Sequence, residues 1–184
     1  MKKILSFLIA ISLCIVLLGQ MPIKASVSDL KILSGQKYTI KNQKSGLYLD
    51  VKGYSSSSGA RLQQFTWHGD TNQQFWINEI SDDIYELQPV VNSKLRVDVK
   101  NNSSSNGAII QTYTANESSA QRFKIVPDGN NLGAYKILTG SSSYTKCLTI
   151  ENEGTEIRNW VIQNTYYNND SDHWFLERQD SINV

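Results

Sequence analysis

Two aspartates each precede a glutamine by thirteen residues, Asp50 before Gln63 and Asp98 before Gln111. In both cases a second glutamine, Gln73 or Gln121, follows ten residues later. An ionised carboxylate only accepts hydrogen bonds, whereas a primary amide both donates and accepts. Such a set suits recognition of hydroxyl-bearing groups rather than the making and breaking of bonds. Residues for bond chemistry are sparse. Of the two cysteines, Cys14 lies in the apolar N-terminal run. Cys147 stands beside Leu148 in a strand-like stretch and reads as a small buried hydrophobe. The two histidines, His68 and His173, fall at non-equivalent places with no Cys or His at ligand spacing, so they read as surface residues without a metal site. No paired-carboxylate signature of sugar hydrolysis is present. The sequence predicts no catalysis, no cofactor and no metal.

The elements that must position these residues recur along the chain. Tyr38-Thr-Ile, Leu47-Tyr-Leu-Asp50-Val51, Gly59-Ala-Arg-Leu-Gln63 and Gln73-Gln-Phe75-Trp-Ile77 return as Tyr85-Glu-Leu87, Leu95-Arg-Val-Asp98-Val99, Gly107-Ala-Ile-Ile-Gln111 and Gln121-Arg-Phe123-Lys-Ile125. A more worn copy contains Tyr135-Lys-Ile137, Cys147-Leu-Thr149-Ile150, Val161-Ile-Gln163 and Asp172-His-Trp174-Phe-Leu176. This is a threefold internal repeat, with copies at about 35–82, 83–131 and 132–178. The local period is two: Leu47, Leu49 and Val51 alternate with Tyr48 and Asp50, which turns Asp50 outward. Short strands separated by Gly/Ser/Asn-rich turns predict an all-β sandwich or barrel. One four-strand unit exposes its apolar face, and three around a common axis bury it. The opening tyrosines Tyr38, Tyr85 and Tyr135 and the closing Phe75, Phe123 and Trp174 are the expected core.

Residues 1–25 have the anatomy of a secretory signal peptide: Lys2-Lys3, an apolar run Ile4–Leu18, and Pro22-Ile-Lys-Ala25 before the cut. A retained membrane anchor would call for ~20 apolar residues, more than this run supplies. Cleavage leaves a polar lead-in, 26–34, and one domain, 35–184, destined for secretion. It also removes Lys2, Lys3 and Lys24, leaving 15 basic against 17 acidic residues. With no basic cluster, a nucleic-acid partner or stable membrane insertion has no support.

The Leu-Asp-Val, Gly-Ala-x-Leu-Gln and Gln-x-Phe segments resemble the ricin B-type lectin family over roughly Gly35 to Arg178. The resemblance implies a β-trefoil that binds glycans. It implies one sugar site per repeat, built from an Asp, a Gln thirteen on, an aromatic two beyond that, and an Asn-Gln pair. The first repeat fills every position with Asp50, Gln63, Phe65, Asn72 and Gln73, and Trp67 is a second candidate for stacking. The second has Asp98, Gln111, Tyr113 and Gln121, with Ala120 in place of the Asn. In the third, Thr149, Thr165 and Ser171-Asp172 replace the motif and Gln163 alone remains, so no binding is expected there. A pyranose offers hydroxyls to Asp and amides and an apolar C–H face to a flat ring, which fits these residue types. Gln73 and Gln121 are expected chiefly to hold backbone at the strand ends. The competing reading is a trefoil protein-interaction module, such as a protease inhibitor or the non-catalytic subunit of a toxin. Any catalytic or toxin activity would then reside on a separate chain.

Overall fold

The computed structural model describes residues 31–131 and 133–179. The expected leader, residues 1–25, lies outside the described residues, as does most of the lead-in. Twelve strands are present among them: β1 Gln36–Asn42, β2 Tyr48–Val51, β3 Leu62–Phe65, β4 Phe75–Ser81, β5 Ile84–Pro89, β6 Leu95–Val99, β7 Ala108–Thr114, β8 Phe123–Pro127, β9 Ala134–Thr139, β10 Lys146–Ile150, β11 Val161–Thr165 and β12 Trp174–Arg178. Among the described residues, helical turns are confined to short 3-10 segments.

Pairing is antiparallel throughout. β1 pairs with β4 and β12, and the ring closes through β4–β5, β5–β8, β8–β9 and β9–β12. Closure leaves these six strands without a free edge. The remaining strands form the hairpins β2–β3, β6–β7 and β10–β11. These hairpins meet over one end of the barrel through β7–β11 pairing and the bridges Arg61–Gln111 and Gln63–Trp160. A six-stranded barrel capped by three hairpins in threefold arrangement is a β-trefoil.

The aromatic residues that open and close the repeats all enter the core, and Phe75, Phe123 and Trp174 are wholly buried. Ile32 of the lead-in joins the same cluster, and the backbone N–H of its neighbour Leu33 donates to the Tyr38 hydroxyl at 2.9 Å. Cys147 is a free, buried thiol. Burial, reinforced by the carboxylate of Asp172, pushes its pKa well above the ordinary thiol value. A thiolate is the reactive form, so Cys147 should resist an aromatic disulfide reagent in the native protein and titrate fully in denaturant. Rapid native labelling would contradict this packing.

The hairpins are locked to one another by one buried side chain each. Gln64 Nε2 donates to the carbonyls of Gly154 (3.0 Å) and Glu156 (2.8 Å) in the third repeat. Thr112 Oγ1 donates to Ser57 O in the first repeat at 3.0 Å. Gln163 Nε2 donates to Ser103 O and Ser105 O in the second, both at 2.9 Å. The three stand opposite Leu49, Val97 and Leu148 on their partner strands, so they are equivalent. This corrects the third-repeat alignment. Asp50 faces Gln63 and Asp98 faces Gln111, but Thr149 faces Ile162. One residue of slip along a strand moves a side chain to the opposite face. Gln163 is therefore a clamp, and Asn164, not Thr165, takes the place of Phe65 and Tyr113.

Candidate functional site

Each cap hairpin, with the 3-10 turn that follows it, walls a surface cavity. In the first repeat, strands β2 and β3 bring Asp50 against Gln63, and the turn Thr71–Gln73 brings in Asn72. Gln63 Nε2 donates to Asp50 Oδ1 and Asn72 Nδ2 to Asp50 Oδ2, both at 2.8 Å. Gln73 lies beneath them and does not line the cavity. Its Oε1 accepts from the His68 backbone N–H and its Nε2 donates to Thr66 O, both at 3.0 Å. That ring of bonds holds the loop from which Asn72 and His68 project. The cavity measures 420 Å³ and is walled by Asp50, Gln63, Asn72, Phe65, Tyr54 and His68, with Lys52, Gly53 and Arg158 completing it.

Three expectations are revised here. Asp50 does not face outward into water: it is 2% exposed, turned from the core but covered by Gln63, Asn72 and His68. Side-chain alternation placed it on the correct face, yet it could not reveal the loop lying over that face. His68 is not a free surface residue either. Its Nε2 stands 3.4 Å from Asp50 Oδ2 and its Nδ1 3.0 Å from Asp70 Oδ2. His173 is buried beside Asp128, 3.3 Å away. Of the two candidate rings, Phe65 faces the cavity, whereas Trp67 leans on Tyr48 with ring centroids 5.3 Å apart.

In the second repeat, Gln111 Nε2 donates to Asp98 Oδ1 at 2.9 Å. Ala120 offers no amide, and Gln121 fills the gap by donating to Asp98 Oδ2 at 3.2 Å and to Thr114 O at 3.0 Å. Gln121 Oε1 accepts from the Asn116 backbone N–H at 2.9 Å, the counterpart of the Gln73 bond. The cavity is smaller, 280 Å³, and has Tyr113 as its ring, with Asn101, Asn102, Asn116 and Ser118 around it. In the third repeat, Thr149 hydrogen-bonds to Ser171 at 3.2 Å, and Ile162 and Asn164 line a 700 Å³ hollow with Glu151 and Glu153. Asp172 retains the loop-holding role, accepting from Tyr167 N at 2.8 Å.

Sequence reasoning missed Tyr54, His68, Lys52 and Arg158 in the first site, and the asparagines of the second. A signal for Tyr54 was present. It follows Asp50 by the same interval as Asn102 follows Asp98, and both residues hold a left-handed backbone, with φ of 56° and 50°.

Burial raises the pKa of Asp50 above its ordinary 3.8, against opposing hydrogen bonds from Gln63 and His68. Burial does the same to Asp98, against Gln111 and Gln121. A carboxyl whose folded pKa is raised adds stability below its unfolded pKa and loses that contribution as pH rises through the folded value. Acid therefore does not unfold the protein through these two groups. It does remove the anionic acceptor. Ligand affinity should decline on acidification before pH reaches 3.8 while the near-ultraviolet dichroism of the fold persists. Affinity that stayed flat down to that pH would contradict a role for the charge.

Known proteins share this architecture. The family model for "Ricin-type beta-trefoil lectin domain-like" matches residues 29–113 and 83–160. A designed threefold-symmetric protein, ThreeFoil, is 33% identical, with a TM-score of 0.72 over 77% of this chain and 97% of its own. The exo-beta-1,3-galactanase 1,3Gal43A from Clostridium thermocellum is 26% identical, with a TM-score of 0.73, over 81% of this chain and 31% of the enzyme. The clotting factor G alpha subunit of Tachypleus tridentatus is 40% identical over 50 residues, 27% of this chain and 7% of that protein. The chain thus spans a small fraction of this curated relative's length.

Proposed function

The chain belongs to the ricin-type beta-trefoil lectin domain-like family, and from that premise we propose that it is a secreted lectin that binds glycans without modifying them. The observation that carries the reading is the buried Asp50, held by two amides at the floor of a cavity with Phe65 as one wall. Each carboxylate oxygen has a second lone pair, so Asp50 can still accept from hydroxyls. Gln63 Oε1 and Asn72 Oδ1 are also buried without a protein partner. Orphaned buried acceptors are destabilising by ~1–3 kcal/mol, so a ligand or water that supplies donors there is favoured. Phe65 and Tyr54 offer flat faces for the C–H side of a pyranose.

The second cavity repeats the Asp–Gln pair with an exposed tyrosine and forms a weaker site. The third has Thr149 where the others have the aspartate, Ile162 where they have the glutamine and Asn164 where they have the stacking ring, and it stays empty of sugar. Export rests on the anatomy of residues 1–25. Among the described residues, no helix is long and apolar enough to cross a membrane.

Binding of the protein to a glycan array, followed by titration with the best monovalent ligand, tests the reading. Affinity between ~1 mM and ~10 μM per site is expected, because few contacts offset the cost of association. Retention on a surface would then come from sites engaged together. A protein that ignored every glycan yet bound a protein partner would replace this reading with the interaction-module one.

A further inference from the structure

The three cavities sit at equivalent places but differ in charge. The third carries Glu151, Glu153 and Asp172, with Lys44 Nζ paired to Glu153 Oε2 at 2.7 Å. The second has no cation in its lining, and Asp98 is its one charged residue. The first has Lys52 and Arg158 in its lining. Among the described residues, neither forms an ion pair with a carboxylate.

Arg158 reaches this cavity from the loop of the third repeat. Its backbone N–H donates to Gln64 O at 2.8 Å, as those of Gly59 and Gly107 donate to Thr112 O and Gln163 O at 2.6 and 2.9 Å. The three residues are therefore equivalent, and φ is 70° at Arg158, 90° at Gly59 and 76° at Gly107. A left-handed backbone of this kind favours glycine, which two of the repeats have. In the third repeat an arginine stands there against the local preference. The guanidinium lies over Phe65, 5.8 Å from the ring centroid, beside the surface that a sugar's apolar face would cover.

We propose that the first-repeat site selects acidic glycans, with a carboxylate or sulfate on the ligand paired to Arg158 while a hexose unit rests on Asp50 and Phe65. The proposal rests on the glycan reading above. A guanidinium presents parallel N–H donors that match a planar carboxylate or one edge of a sulfate. Asp50, at the floor, is left to the hydroxyls.

The test titrates the protein with matched pairs: neutral oligosaccharides, their sulfated forms and their uronate- or sialate-bearing forms. The acidic member of a pair should bind about fivefold more tightly, the upper range for a solvent-exposed ion pair. That preference should shrink with added salt. Arg158→Gly should equalise the two members without lowering the melting temperature, since glycine suits the backbone. Arg158→Lys, which keeps the charge but not the fork, should retain part of the preference. Comparing the sulfate and carboxylate arms identifies the anion. Equal binding of neutral and acidic members, or a preference that survives Arg158→Gly, overturns the proposal and leaves the lectin reading standing. Failure to bind any member overturns both.

Discussion

Asp50→Ala is expected to weaken glycan binding at the first site by roughly tenfold to a hundredfold. The carboxylate is the one charged acceptor at the cavity floor, and hydrogen bonds to charged groups contribute ~1.5–3 kcal/mol. It also orients the rest of the site, since the Gln63 and Asn72 amides both donate to it. Removing it frees the Gln63 amide to turn and leaves the Asn72 amide held by Val51 O alone, at 3.2 Å, so positional order is lost with the acceptor. Asp98→Ala should have a smaller effect, because Ala120 already leaves that cavity without the amide that Asn72 supplies. Thr149→Ala should leave glycan binding unchanged, as its hydroxyl is spent on Ser171. The stability of the Asp50 variant needs its own measurement. Burying an ionised carboxylate is unfavourable, as its raised pKa records, so its loss relieves one cost. Two amide donors left short of a partner introduce another, of ~1–3 kcal/mol per group. Binding is therefore measured well below the melting temperature, with Asp50→Asn as a shape-preserving companion that removes the charge. Full binding by Asp50→Ala, or equal losses in all three variants, would contradict the site.

The largest stability loss among polar substitutions is expected at Gln163, a residue that sequence spacing would place in a sugar site. Its amide nitrogen donates to Ser103 O and Ser105 O, and its oxygen accepts from Thr139 Oγ1 at 2.6 Å and Ser141 Oγ at 2.7 Å. These bonds tie the third hairpin to the second repeat's loop and to its own barrel strand, with no exposure to water. Gln163→Ala strands several buried polar groups and should cost ~3 kcal/mol or more. For a domain of this size that lowers the melting temperature by roughly 6–12 °C. Glycan affinity at the first site should survive. Gln63→Ala should show the opposite pattern, with a large loss of binding and a smaller loss of stability. An unchanged melting temperature for Gln163→Ala would contradict the clamp.

These two glutamines show what the sequence could and could not reveal. The threefold repeat, the all-β class and the six core aromatics were legible, because apolar residues recur at a strand period and at fixed offsets between repeats. The pairing of Asp50 with Gln63 was legible from its exact recurrence thirteen residues apart at Asp98 and Gln111. In the third repeat only β11 reads one residue out, because Gln163 resembles the motif glutamine, while Thr149 and Ser171-Asp172 stand at the expected places. Only the strand register, with Thr149 opposite Ile162, distinguishes the two faces of β11. The burial of Asp50 and the place of His68 depend on how the loop from Thr66 to Gln73 folds back. That path is set by the hydrogen bonds of Gln73, and no periodicity records it. Arg158 was invisible for another reason: it joins the first site from the far end of the chain, across the cap.

The most direct test of the account is nuclear magnetic resonance mapping of the bound glycan, using the ligand that the array ranks highest. The side-chain amides of Gln63 and Asn72 and the ring of Phe65 should shift at the lowest ligand concentration. Gln111 and Tyr113 should follow at higher concentration, and Thr149, Ile162 and Asn164 should stay still. Shifts that begin in the third-repeat hollow, with Gln63 and Asn72 unmoved at saturation, would contradict the account.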